Sequence, residues 1–214
     1  MGFVNCFLVE EDDGFTLVDT MLPKCGKRIL QAASDLERPI VRIALTHAHG
    51  DHIGSLDELA GRLPEAEVSI STRDARLMAG DTSLDPGEPD DKLRGGYPGT
   101  KTKPGRTVTD GDRIGSLEVV FTPGHTPGHV ALLDTRDRTL LCGDVFSTLG
   151  SVSTTARVNW RFPLPTMATW HRPTELESAR RLRGLDPARL APGHGQIVDS
   201  PLEAMDAAIR RAEP

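Results

Sequence analysis

An α+β fold, with two packed sheets and helices on the outside, is predicted by three features of this sequence. First, apolar β-branched runs alternate with helically spaced segments, so that residues up to 71 read β-β-α-β-α-β. Second, the chain restarts after residue 106 with four more strand-like runs and closes on helical segments. Third, the stretch between them, residues 81–106, is dense in Pro, Gly and charge and poor in apolar residues, which reads as one long loop of the functional or mobile kind. With 214 residues and no long polar linker, a single domain over 1–214 is expected. A chain of that length buries about 70% of the surface its unfolded form exposes.

The elements follow in order. Phe3 to Val9 and Phe15 to Val18 form a hairpin across an Asp-Asp-Gly turn, ending on Asp19. KCGKRILQAASDLE is a covering helix that stops before Pro39. PIVRIAL, residues 39–45, is a buried strand, IGSLDELAGRL a helix, EVSIS a strand, and TRDARLMAG a short helix. RTVTDGDRIGSLEVVFTPG holds two strand-like runs and GHVALLDTRDRTLLCGDVF two more, with DTRDR as a hairpin turn. SARRLRGL and PLEAMDAAIRRAEP are helical.

Composition narrows the function classes. Twenty-five basic against 31 acidic residues give a net charge of −6, which offers no footprint for nucleic acid or an anionic membrane. The expected partner is a small-molecule acyl substrate, and a homodimer is compatible with the sequence. No run approaches the ~20 apolar residues of a membrane span, and MGFVNCFLVEEDDG lacks the basic and apolar regions of a signal peptide. A cytoplasmic protein is expected. Cys6, Cys25 and Cys142 form no CxxC pair and read as small buried hydrophobes in a reducing compartment.

The chemistry is carried by THAHGDHIGS, residues 46–55, on a strand-to-helix loop. Such a loop brings His47, His49, Asp51 and His52 close together, because extended residues two apart project to one side and the turn brings the next pair round. Three imidazoles and a carboxylate suit Zn²⁺, or Fe or Mn, better than Ca²⁺ or Mg²⁺.

His47-x-His49-x-Asp51-His52 resembles the signature of the metallo-β-lactamase-fold hydrolases. The resemblance implies a four-layer αββα sandwich and extends from Asp19 to His194. It implies two divalent metal ions: His47, His49 and His125 (in TPGHTPGH) on one, Asp51, His52 and His194 (in LAPGHG) on the other, and Asp144 (in LLCGDVF) between. All seven are expected on loops that follow apolar segments, with Asp19 supporting the metal loop from behind. Gly143 allows close backbone approach. His129 is left as a structural or supporting residue. His171 matches no metal position; it reads as a pocket-wall residue beside Trp160, Phe162 and Trp170, or as an ordinary surface or core residue.

Two such metals lower the pKa of a shared water and polarise a carbonyl, so a bridging hydroxide is expected to hydrolyse an ester, lactone, thioester or amide. Asp51 is the expected catalytic proton acceptor. Tyr97, the one tyrosine, is a candidate catalytic hydrogen-bond donor to the substrate carbonyl or its oxyanion, or an aromatic that pins the long loop to the body. The motifs are similar to glyoxalase-II-like thioesterases and to lactonases. The chain departs from the former: about 20 residues follow His194, too few for a helical glutathione-binding domain, and VFSTLGSV lacks the expected arginine. The alternative is a persulfide-dioxygenase-like oxidoreductase with one iron on the three-histidine side, against which the complete second ligand set argues. Diiron oxygen reductases would carry Glu in place of His49 and a flavin domain. A metal-stabilised interaction protein is disfavoured because no ligand is missing.

Overall fold

The structure, a computed structural model, describes residues 3–213. β1 (Phe7–Glu11) and β2 (Gly14–Val18) form the opening hairpin, Glu11 opposite Gly14 across Asp12-Asp13. β1 begins at Phe7 and not at Phe3, because the preceding residues bond elsewhere. Asn5 N donates to Gly193 O at 2.8 Å, and Asn5 Nδ2 to the carbonyls of Pro192 and Gly195.

α1 (Gly26–Asp35), β3 (Ile40–Ala44), α2 (Leu56–Arg62), β4 (Glu67–Ser71) and α3 (Thr72–Met78) follow in the expected order. Residues 79–105 contain neither helix nor strand, as expected of the long loop. Arg73 holds this loop through Glu88 at 2.7 Å, and Asp57 accepts from Lys101 N and Thr102 N at 3.0 and 2.8 Å. Three strands, not two, then cover the next run: β5 (Arg106–Val108), β6 (Arg113–Ile114) and β7 (Leu117–Phe121). The break falls where Asp112 accepts Thr109 N at 2.7 Å and turns the chain, so that β5 joins one sheet while β6 and β7 begin the other.

β8 (Val130–Asp134), β9 (Thr139–Ser147), β10 (Ser153–Thr154), α4 (Leu164–Ala168), α5 (Arg172–Gly184), β11 (Arg189–His194), β12 (Val198–Asp199) and α6 (Leu202–Ala212) complete the described chain. β6, β10, β12 and α4 are too short for periodicity to reveal them.

The first sheet has the order β1-β2-β3-β4-β5, parallel from β2 onward. The second has the order β12-β11-β9-β8-β7-β6, with β10 also on β9. Three separate cores make this a four-layer αββα sandwich. Ile29, Leu56, Leu59 and Leu77 of α1–α3 pack on Leu17, Ile43 and Ile70 of the first sheet. Val18, Ala44, Leu117, Leu132 and Leu141 fill the space between the sheets. Leu176, Leu182 and Met205 of α5 and α6 cover Leu133, Leu140 and Cys142 of the second sheet. Neighbours such as Leu17 and Val18, or Leu140 and Leu141, therefore serve opposite faces, as the two-residue period of a strand requires. No helix among the described residues is long and apolar enough to cross a membrane. β7, β9 and β11 run the same way, since β8 is antiparallel to both β7 and β9 while β11 is parallel to β9. Their carboxyl ends and those of β2 and β3 carry the candidate site.

Candidate metal centre

All seven residues of the expected ligand set converge. Ligand atoms of His47, His49 and His125 lie within 4.8 Å of one another, as do those of Asp51, His52 and His194. Asp144 lies between the groups. Its Oδ2 is 3.3 Å from His125 Nε2 and 3.2 Å from His194 Nε2, and its Oδ1 is 3.3 Å from His52 Nε2. Asp51 Oδ2 stands 3.5 Å from His194 Nε2 and 3.9 Å from His52 Nε2. Six of the seven are buried; Asp51 keeps 35% of its side chain exposed.

The outer hydrogen bonds show what the inner atoms are for. His52 Nδ1 donates to Asp19 Oδ2 at 2.8 Å. The Thr46 hydroxyl donates to Asp19, so it accepts from His47 Nδ1 at 2.9 Å. The Thr169 hydroxyl donates to Pro165 O, so it accepts from His125 Nδ1 at 3.0 Å. His194 Nδ1 donates to Phe3 O, and His49 Nε2 to Arg94 O at 3.0 Å. Each imidazole thus commits one ring nitrogen to an outer oxygen and turns the other inward, His49 Nδ1 and His125 Nε2 lying 3.0 Å apart. His47 Nε2, His52 Nε2 and Asp144 Oδ1 are buried with no hydrogen-bond partner. Orphaned buried acceptors are costly unless something positive meets them, and this nitrogen-and-carboxylate set fits two divalent transition metal ions.

The electrostatics agree. Burial pushes His47 and His125 well below the usual imidazole value, leaving them neutral. Burial alone would raise Asp144, but His194, His52 and His125 hold it well below the usual carboxylate range. Burial also opposes a charge on His52, yet Asp144 and Asp19 outweigh it and raise that imidazole, so the second group favours a cation.

Two ligands depart from the expected loop positions. Asp144 lies inside β9, and His194 is the last residue of β11. Gly143, at φ +52°, kinks β9 without ending it, and the β9–β11 register slips between Ala191 and His194, so strand backbone delivers both side chains inward. A Cβ on Gly143 would meet His129 Nε2 at 2.4 Å; one on Gly193 would meet Asp144 Oδ1 at 2.4 Å. Pro192-Gly193, where a loop was expected before His194, is therefore a strand irregularity that clears space for the carboxylate.

Comparison with known proteins places this geometry. The family profile described as the metallo-beta-lactamase superfamily matches residues 1–194. The chain belongs to that superfamily. It is 47% identical over 211 residues to YobT of Bacillus subtilis (strain 168), covering 98% of this chain and 91% of that protein. It is 29% identical over 206 residues to the probable metallo-hydrolase YflN of the same organism, covering 88% and 78%. A hydroxyacylglutathione hydrolase of Synechococcus sp. (strain JA-2-3B'a(2-13)) is 31% identical over 122 residues, 57% of this chain and 41% of that one. Among solved structures, TTHA1623 in a di-iron-bound form superposes with a TM-score of 0.70 at 26% identity, covering 94% of this chain and 92% of that one.

Within this superfamily site, Tyr97 does not stand over the metal ligands as a substrate donor. Its ring packs 4.8 Å from that of His49, and its hydroxyl is buried without a partner in the first core. Burial raises its pKa, so the phenol keeps its proton. Tyr97 pins the long loop, whose Arg94 carbonyl orients His49. His129 Nε2 accepts Asp144 N at 3.1 Å and holds that residue's backbone; burial pushes this imidazole down to about 3. His171 caps α5, its Nδ1 accepting Thr174 N at 3.3 Å. Phe162 does line the metal cavity, whereas Trp160 is 88% exposed and Trp170 is buried with its Nε1 on Asp91 O.

Sequence reasoning missed Asp74. Its Oδ2 accepts Ala48 N at 2.9 Å and the Thr126 hydroxyl at 2.8 Å, and its Oδ1 accepts Gly128 N at 2.8 Å. One buried carboxylate on α3 therefore ties the His47–His49 loop to the loop carrying His125. Burial raises it to about 6, and those three donors hold it from rising further.

Proposed function

We propose that the protein is a dinuclear metal-dependent hydrolase acting on an ester, lactone or thioester. The observation that supports this most is the set of five inward-facing imidazole nitrogens with Asp144 between two groups, every outer N–H being taken. Bound divalent ions supply Lewis acidity and a hydroxide nucleophile at neutral pH. The relatives described as a probable metallo-hydrolase and a hydroxyacylglutathione hydrolase support a hydrolytic reaction, and the di-iron form of TTHA1623 makes iron a candidate beside zinc.

The chain's own residues divide the work. His47, His49 and His125 would hold one ion and Asp51, His52 and His194 the other, with Asp144 shared. Asp51, the most exposed of the set, is within reach of solvent and takes the proton given up by the attacking water. Asp19 and Thr46 hold Nδ1 of His52 and His47, which aims Nε2 of each ring inward as the ligand atom. The test is hydrolysis of a panel comprising a nitrophenyl ester, a homoserine lactone, a glutathione thioester and a β-lactam by zinc-, iron- and manganese-loaded protein. The expected result is turnover of at least one acyl substrate, abolished by a chelator and restored by metal. Oxygen uptake with a persulfide and no hydrolysis would overturn the reading in favour of the dioxygenase.

A further inference from the structure

We infer that the substrate presents an uncharged, apolar acyl chain of several carbons to this centre. The inference rests on the hydrolase reading above and names its substrate class. A cavity of about 470 Å³ opens over the ligand set. Five of its lining residues are ligands: His49, Asp51, His125, Asp144 and His194. Every other lining residue is apolar. Phe3, Val4 and Leu22 form one wall; Phe162, Leu164 and two small apolar residues of α4 form the other. Beyond the ligands, the described lining holds no cationic side chain, amide or hydroxyl.

The walls are built and solvent-facing at once. Phe3 and Phe162 stack at 6.4 Å with planes 10° apart, and the Phe162 ring lies 5.3 Å from that of His194. Yet Phe3, Leu22 and Leu164 remain 62%, 48% and 63% exposed, while the interior residues of all three cores are buried. Large apolar side chains left in water around a polar reaction centre mark where an apolar ligand is desolvated. Against the apolar walls a carboxylate-bearing acyl group would lose its hydration and find no cationic side chain in return.

In the reaction, the oxygen of water bonds to the carbonyl carbon and the bond from that carbon to the leaving oxygen breaks. The leaving oxygen receives a proton, and the products are a carboxylic acid and an alcohol. Remote apolar contacts formed by the acyl chain raise kcat/KM without touching the reacting bond.

The test is a nitrophenyl ester series from acetate to octanoate on metal-loaded protein. Each added methylene is expected to raise kcat/KM about fourfold, the equivalent of ~0.8 kcal/mol, until the cavity is filled. A hemisuccinate ester is expected to react at least tenfold more slowly than the butyrate ester. Leu164→Lys is expected to flatten the chain-length series and to narrow that gap. A flat series in the wild type, or preference for the hemisuccinate, would overturn the inference and leave the hydrolase reading standing. A flat series together with a dimer that Leu164→Lys dissociates would overturn it by assigning the walls to a second copy. If no ester turns over, the hydrolase reading rests on the lactone, thioester and β-lactam of the panel, and it fails when none of them is hydrolysed. The cavity is then decided by calorimetry: at least tenfold tighter binding of hexanamide than of acetamide upholds an apolar acyl site, and equal binding overturns it.

Discussion

Replacing Asp144 with alanine is expected to disable both halves of the centre at once. Metal content should fall from two ions per chain toward none, and kcat/KM should drop by more than the ~10–100-fold that loss of an outer hydrogen-bond partner costs. The reason is geometric and electrostatic together. One carboxylate stands within 3.3 Å of ligand nitrogens from both groups, and no other anion among the described residues does so. Without it, three buried imidazoles lose their shared counter-charge, and the principal cause raising His52 disappears. Asp144→Asn separates charge from shape: it keeps one oxygen acceptor and should retain more metal than alanine while losing most activity. Mass spectrometry of bound metal, read beside circular dichroism, checks both. Two ions retained by a folded Asp144→Ala protein would mean that the carboxylate is not shared.

The second large effect is expected at Asp74, which touches no ligand atom. Asp74→Ala strands Ala48 N, Gly128 N and the Thr126 hydroxyl, three buried donors that each cost ~1–3 kcal/mol when unpaired. After relaxation the total is roughly 3–5 kcal/mol, at the upper end for a single substitution. For a chain of this size that lowers the unfolding midpoint by about 6–20 °C. Because the stranded groups flank His47, His49 and His125, metal affinity on the three-histidine side should fall more than on the other side. Asp74→Asn keeps a carbonyl acceptor and should lose about half as much. Calorimetric unfolding combined with chelator competition measures the pair. A midpoint within a degree or two of the wild type would show that the two loops stand without this brace.

The contrast between these two residues shows what was legible in the sequence. Asp144 could be singled out because a Gly-Asp pair that follows an apolar run, downstream of HxHxDH and TPGH, resembles the superfamily's bridging position, and the structure brings it within 3.3 Å of nitrogens from both groups. Asp74 could not, since TRDARLM reads as any helix with an acid in its first turn, and only tertiary packing brings it under two distant loops. Strand and helix order was readable where two-residue periodicity ran for five residues or 3.6-residue periodicity for seven. It failed at Phe3 to Cys6, where Asn5 bonds to the second sheet, and at β9, where a glycine at positive φ carries a strand through the point at which a loop was expected. Tyr97 was ambiguous because a lone aromatic in a loop carries no direction. A hydrophobic acyl pocket was an expectation, but of its walls only Phe162 was named, because they come from residues 3–22 and 162–168, far apart in the chain.

One chain is expected to hold two metal ions, with Asp144 between them. The most direct test is anomalous diffraction at the metal absorption edge from crystals of the zinc- or iron-loaded protein. Two peaks per chain are predicted, one bounded by His47, His49 and His125, the other by Asp51, His52 and His194, with Asp144 reaching both. A single peak on the three-histidine side, with the Asp51–His52–His194 group empty at saturating metal, would contradict the dinuclear centre.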